Sequence, residues 1–351
     1  MSTRITWSRN DVLRTRFLAL GCLVAVAAVI GVLDRPGAAR ATRNANQITI
    51  AVTGATTTQD VPFYADAKGY FAKRGLDVNV ELLPSSQAVA AIATGQVQFI
   101  VGAEPGGASI TDWSSTYASN KKKPVKLLGY WQPKAGGIVV VARPGIGSVA
   151  GLKGKTLGVT SPGGASAILL DLVLSRVGHL KASDVRIVPL GTLGAVVAAF
   201  NTGNISAMSS TEPLTTQVLN GAPGSKVIYS EEKWNWVLGG IAGYMPWVQA
   251  HPGQTVQVLA AINDALKNYH ASPADAEGLI GKEGGITDSA QLVTAYESSI
   301  PFITTSVQPV PEAAMRAVLH AMKQNGTPAA DPNRWKEEVD SAYALRAQKL
   351  K

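Results

Sequence analysis

From residue 48 onward, short β-branched runs alternate with stretches whose apolar residues recur every three or four positions. A pattern that switches between strand and helix periods in this way predicts βαβ units and parallel sheets. Strands are expected over 48–52, 78–82, 99–101, 125–130 and 137–141. The polar loop 53–60 leads into a short helix. Ser85 or Ser86 is expected to cap a helix that runs through Ala93 and ends at Gly95. A second series follows, with strands over 156–159, 185–188 and 205–208 and helices from 163 to about 177 and from about 193 to 200.

The two series resemble each other. Thr94-Gly95-Gln96-Val97-Gln98, followed by Glu104-Pro105, recurs 108 positions later as Thr202-Gly203-Asn204-Ile205-Ser206 and Glu212-Pro213. Asp77-Val78 and Asp184-Val185 precede matching strands. Order and spacing agree over a whole β-α-β stretch, and the period is too long and the copies too few for a solenoid. Two copies of one α/β unit imply two lobes. After Tyr229 the pattern changes. Trp234, Trp236 and Trp247 lead into mostly helical sequence, with Val256, Leu259, Ile262, Leu266 and Tyr269 at helical spacing. Pro311 opens a further helix closed by Asn325-Gly326, and Asp331-Pro332 opens the last. With no strands of their own to cover, these helices are expected to return to the first lobe.

The first 41 residues read as a targeting segment. Arg4, Arg9, Arg14 and Arg16 precede an apolar run over 17–33, and Ala39-Arg40-Ala41 is a small-x-small cleavage site. An uncleaved anchor is the alternative, since the run nearly spans a bilayer. Cys22, the only cysteine, sits in that run and is poorly placed for lipidation. Cleavage after Ala41 leaves a chain with no disulfide and no thiolate chemistry. Much of the formal charge of +8 belongs to the leader. The dense basic run Lys121-Lys122-Lys123 reads as a solvated loop, without the aromatic interleaving of a nucleic-acid surface.

Ligands of parallel α/β sheets bind beyond the carboxyl ends of the strands, where helix N-termini point free N–H groups. Four loops fit: 56–60 with Thr58, Gln59 and Asp60; 84–86 with Ser85 and Ser86; 160–164 with Ser161, Gly163 and Gly164; and 190–192 with Thr192. Plain helix capping would explain any one of them. Glu104, Glu212 and Asp60 are candidates to meet an N–H donor, or are structural carboxylates. Trp131, with Tyr130 beside it, either stacks on a ligand or packs in the core. The group Trp234, Trp236, Tyr244 and Trp247 reads chiefly as core or hinge packing.

Enzyme motifs fail on inspection. Gly154-Lys155-Thr156 lacks the earlier glycine of a P-loop, because Val149 stands there. The stretch 164–168 lacks the last glycine of a nucleophile elbow. His179, His251, His270 and His320 have no metal-ligand spacing. No catalytic residue, metal or cofactor is therefore expected.

Residues Tyr64-Ala65-Asp66-Ala67-Lys68-Gly69-Tyr70-Phe71-Ala72-Lys73-Arg74-Gly75-Leu76-Asp77-Val78 resemble the A-x-x-x-G-Y-F-x-x-x-G-L-D-V signature of the periplasmic binding proteins for nitrate, sulfonates and taurine, and of related binders of thiamine pyrimidine precursors. Leu152-Lys153-Gly154-Lys155 resembles the family's opening of the second lobe. The stretch 198–213 resembles its G-x-(V/I)-D-A strand, with Ser206 in place of the usual Asp. The resemblance covers roughly residues 48–344. It implies a type II periplasmic-binding-protein fold, with two α/β lobes joined by two crossovers around a central ligand cleft. The expected division is a signal peptide over 1–41, the first part of lobe 1 over 42–139, lobe 2 over 140–232, and a mostly helical return to lobe 1 over 233–351. The implied role is a periplasmic, monomeric solute-binding component of an ABC importer that captures a small polar solute, sulfonate-, taurine- or nitrate-like or a related heterocycle, by lobe closure and delivers it to a permease with its ATPase. An enzyme of the thiamine-pyrimidine type on the same fold, or a ligand-sensing subunit, are the alternatives.

Overall fold

The computed structural model describes residues 47–102, 124–132, 138–160, 165–230, 238–324 and 330–350. The N-terminal segment with Cys22 and Ala41, the Lys121-Lys122-Lys123 run and Asn325-Gly326 lie outside the described residues. Ten strands, β1 to β10 in chain order, form two five-stranded sheets. They are Ile48–Val52, Val78–Leu82, Phe99–Val101, Val125–Gln132, Val139–Ala142, Thr156–Val159, Arg186–Pro189, Ala207–Ser210, Lys226–Ser230 and Leu238–Tyr244. The first sheet has the order β2-β1-β3-β10-β4 and the second β7-β6-β8-β5-β9. The chain leaves the first sheet after β4 and returns to it with β10, so two connections join two α/β lobes.

The duplication seen in the sequence is carried by the backbone. In the first sheet Thr49 pairs with Asn79 and Ile50 with both Val80 and Phe99. In the second, Thr156 pairs with Arg186 and Leu157 with both Ile187 and Ala207. Thr94 and Thr202 end the corresponding helices, Ser85–Ala93 and Leu193–Asn201, with hydroxyls that donate back to Ala90 O and Ala198 O. Gly95 and Gly203 follow at φ of 76° and 81°, a region that favours glycine. Gln96 N and Asn204 N then donate to Ala91 O and Ala199 O at 2.8 and 2.9 Å.

Both sheets are mixed rather than parallel. β10 runs antiparallel to β3 and β4, and β5 runs antiparallel to β8 and β9. Neither β9 nor β10 is expected from the sequence, and the returning segment therefore does bring a strand of its own. β10 carries Gly239, Gly240 and Gly243, and glycine has low strand propensity. Packing explains two of them. A Cβ at Gly243 would lie 2.7 Å from Val248 Cγ2, and one at Gly240 would lie 2.9 Å from Leu127 Cδ1. β8 begins two residues later than expected, because Ile205 and Ser206 belong to the turn after Gly203 and bond to Ala199 O and Thr156 O. β4 continues through Trp131 and Gln132, and β5 starts at Val139. The helix after β2 starts at Ser85 with Pro84 at its cap position, so neither serine caps it. Asp331-Pro332 opens only a 3₁₀ turn and the short helix Trp335–Glu338, while the last helix is Ala342–Ala347.

The core of the first lobe has two faces. On one, Ile48, Ile50 and Val52 pack against Leu259, Ile262, Leu266 and Tyr269 of the helix Pro252–Ala271. Arg74 clamps that helix through bonds of 2.9 and 2.7 Å to Asp264. On the other face, Ala51, Ile100 and Leu127 share a cluster with Val89, Ile92, Met315 and Val318. Ile168 and Leu169 of the helix Ala165–Arg176, which belongs to the second lobe, join this cluster. The lobes thus share apolar packing as well as connections.

Candidate functional site

The carboxyl ends of β1, β2, β3, β6, β7 and β8 open onto one hollow of about 460 Å³ between the lobes. The first lobe contributes Thr53 to Thr56, Thr58 and Gln59, then Leu82 to Ser85, Gly102, Gln132 and, from the end of the helix Pro273–Gly284, Glu283 and Gly284. The second contributes Thr160, Ser166, Leu169, the turn at Gly191 to Gly194, Ser209 to Thr211, Leu214 and Gln217. The wall alternates hydroxyls and amides with aliphatic side chains. Of the described lining residues, Glu283 alone carries an ionisable side chain.

The lobes touch at the rim. Thr57 N donates to Glu212 O at 3.1 Å, and the Thr57 hydroxyl reaches the same carbonyl at 3.4 Å. Gln217 Nε2 donates to Gly284 O at 2.8 Å. These bonds close the gap on two sides and leave the hollow between them.

Four of the twelve candidates meet at the hollow: Thr58, Gln59, Ser85 and Thr192. Thr58 is held from behind, because Trp131 Nε1 donates to its carbonyl at 2.7 Å. Its hydroxyl pairs with Thr56 Oγ1 at 3.2 Å. Gln59 Oε1 accepts from Thr53 Oγ1 at 3.2 Å. Thr192 caps its helix by accepting from Ala195 N at 3.2 Å, so part of its hydrogen-bonding capacity is used within the chain. The remaining described candidates lie elsewhere. Ser86 is exposed and is not part of the lining. Trp131 is wholly buried in the first-lobe core and does not reach the hollow. Tyr130 is likewise buried among Ile138 and Met315. Trp247 packs edge-on to Phe99 and stacks on His251, 4.5 Å between centroids. Glu104, Ser161, Gly163, Gly164, Trp234 and Trp236 lie outside the described residues.

The acids separate by environment. Glu212 is buried, and its Oε2 accepts from Thr216 N at 3.2 Å at the start of the helix Leu214–Gly221. Burial raises its pKa, and the bonds from Thr216 oppose that rise. Asp60 is 1% exposed and lies behind the Thr58-Gln59 wall. Its Oδ1 has no hydrogen-bond partner among the described residues. Burial pushes its pKa well above the usual carboxylate range, the nearby charge of Glu283 adds to the shift, and a backbone bond from Thr56 opposes it. Glu283 itself is absent from the sequence expectations. Gly284 and the left-handed Gly285 after it mark a helix end, but nothing in the local pattern ties that end to loops some two hundred residues earlier.

Among the described residues, no group of three or more His, Cys, Asp or Glu is placed to hold a metal ion. No described helix is long and apolar enough to cross a membrane.

Residues 58–276 match the family model described as NMT1/THI5 like. The fold is that of periplasmic binding proteins. The alkanesulfonate-binding protein SsuA of Xanthomonas axonopodis pv. citri, solved bound to MOPS, is similar at 17% identity and a TM-score of 0.65, over 86% of this chain and 97% of that one. The nitrate-binding protein NrtA of Synechocystis PCC 6803 is similar at 14% identity and a TM-score of 0.68, over 87% and 89%. A desulfurization enzyme, DSZB, shares the fold at 15% identity and a TM-score of 0.62, over 86% and 99%. No curated protein sequence matches significantly.

Proposed function

Because the chain belongs to the NMT1/THI5-like family, we propose that it is the extracytoplasmic solute-binding component of an ABC importer. It captures a small solute between its lobes and hands it, as a monomer, to a membrane permease driven by an ATPase. One observation carries the reading. Two duplicated halves aim the same kind of loop, each from the carboxyl ends of its strands, into a shared hollow of about 460 Å³. That volume falls in the ordinary range for small-molecule sites.

A solute in the hollow touches both lobes, so it binds the closed arrangement better than an open one and shifts the population toward it. The rim bonds from Thr57 to Glu212 and from Gln217 to Gly284 form only when the lobes meet. The permease would read that closed form. Export, with removal of the leader near Ala41, is part of the same proposal. Intact-mass analysis of the secreted protein tests it, with a mature N-terminus at Thr42 expected.

The binding test is a thermal-shift panel on residues 42–351 with taurine, alkanesulfonates, nitrate, aromatic carboxylates and aminopyrimidines. A true ligand raises Tm in proportion to the logarithm of its concentration. A flat response to every class would defeat the proposal for those solutes. The fold likeness to DSZB favours a second reading, an enzyme on this scaffold. The described lining carries neither Cys nor His, so it offers no evident activated nucleophile. Mass spectrometry after prolonged incubation separates the two readings: a binder returns its ligand unchanged, and an enzyme does not.

A further inference from the structure

The charge pattern of the hollow narrows the solute class, given the solute-capture reading on which this step rests. No Lys, Arg or His is present among the described lining residues, and Glu283 places one carboxylate in the wall. Its side chain is 18% exposed. Its one ion-pair partner among the described residues, Lys282, lies at 3.5 Å, but the Lys282 side chain is 76% exposed. Such an exposed pair is strongly screened and does little to offset the charge of the carboxylate. Asp60 lies buried behind the same wall, with Oδ1 unpartnered, close enough to feel the charge of Glu283. The negative charge at this end of the hollow is that of Glu283, since burial favours the neutral form of Asp60.

Part of the hydroxyl capacity of the wall is used within the chain. Thr56 pairs with Thr58 and Thr160 with Ser166, each at 3.2 Å, which uses one donor of each pair, while Thr192 accepts from Ala195 N and keeps its own O–H to donate. Leu82, Leu83, Leu193 and Leu214 give the wall aliphatic patches between Ser85, Gln132, Gln217 and the turn at Ser209 to Thr211. A free oxyanion here would face a like charge with no described cation to offset it. A protonated amine would find an opposite charge in a partly desolvated site, where such pairs are strongest.

We propose that the hollow selects a solute bearing a protonated amine on a small, mostly apolar frame, and that Glu283 is the residue that reads the amine. Titration calorimetry on residues 42–351 tests this with matched probes: 3-aminopropane-1-sulfonate against propane-1-sulfonate, 4-aminobutanoate against butanoate, and butylamine against butanol. The amine member of each pair is expected to bind at least ten-fold more tightly. Glu283→Gln should remove most of that preference, by weakening the amine members and by lifting the like-charge repulsion on propane-1-sulfonate and butanoate, and Lys282→Gln should keep the preference. Because Glu283 sits at a partly exposed helix end and Gln keeps its size, the variant is expected to fold, with Glu283→Asp as a second, shortened test.

Tighter binding of the amine-free members, or a preference that survives Glu283→Gln, overturns the inference and leaves solute capture standing. Silence from every probe, with nitrate and aminopyrimidines also silent, overturns both.

Discussion

Asp60→Asn should make the protein more stable at neutral pH and change nothing in strong acid. The substitution keeps the shape of the side chain and removes its charge. In the unfolded chain Asp60 ionises near 3.8, whereas in the folded chain its pKa lies well above that value. The folded state thus holds its proton over a range in which the unfolded state has lost it. A raised acid pKa contributes stability that is complete below the unfolded pKa and is lost as pH climbs toward the folded one. Across that window one bound proton changes stability by about 1.4 kcal/mol per pH unit. Burial comes first among the causes, then Glu283, and a bond from the Thr56 backbone opposes them. Tyr269 also faces the carboxyl, and its buried hydroxyl has no partner among the described residues.

The assay is urea unfolding of residues 42–351 and of the variant at half-unit steps from pH 3.5 to 8. The two curves should coincide near pH 3.5. Above about pH 4 the variant should gain about 1.4 kcal/mol per unit and level off where the folded carboxyl finally ionises. A net gain is expected by pH 7. A difference that does not vary with pH, or a variant less stable at pH 7, would refute the account of a buried carboxyl kept neutral by its surroundings. Since Asp60 stands behind the Thr58-Gln59 wall and not in it, the gain should appear without any ligand.

Two further substitutions separate packing from binding. Trp131→Phe removes the 2.7 Å donor to Thr58 O and leaves a buried carbonyl unsatisfied, a loss of about 1–3 kcal/mol in urea melts. It should also weaken any solute held by the 53–60 loop, although Trp131 itself does not reach the hollow. Gly243→Ala forces a methyl to within 2.7 Å of Val248 and 2.8 Å of Leu128, so overpacking of about 1–3 kcal/mol is expected, with thermal melts as the readout.

The parts legible in the sequence are those repeated in it. β1, β2 and β3 announce themselves because β-branched residues fill them, and the copies β6 and β7 follow the same register. Thr94 and Thr202, with the glycines after them, mark equivalent helix ends by chemistry that needs no tertiary context. The hollow was legible as loops for the same reason: Thr58, Gln59, Ser85 and Thr192 follow strands that periodicity locates. What escaped depends on tertiary contact. β10 hides because close packing against Val248 and Leu127 demands glycine where strand propensity would ask for Val or Ile. Trp131 reads as a possible ligand platform until β4 is seen to run two residues further and carry it inward. The duplicated motif draws attention to Glu212 as an acid for the ligand, yet that carboxylate caps a helix. The acid that does line the hollow, Glu283, comes from the unduplicated return segment. This division has a physical logic. The repeated halves must keep the same strand-loop-helix geometry to face each other, so their loops are constrained to small polar residues. The returning helices have no twin to match, and charge placed on them can change which solute is held without disturbing the scaffold. Specificity in this chain should therefore be sought first at the end of Pro273–Gly284, and only then in the loops that the repeat makes conspicuous.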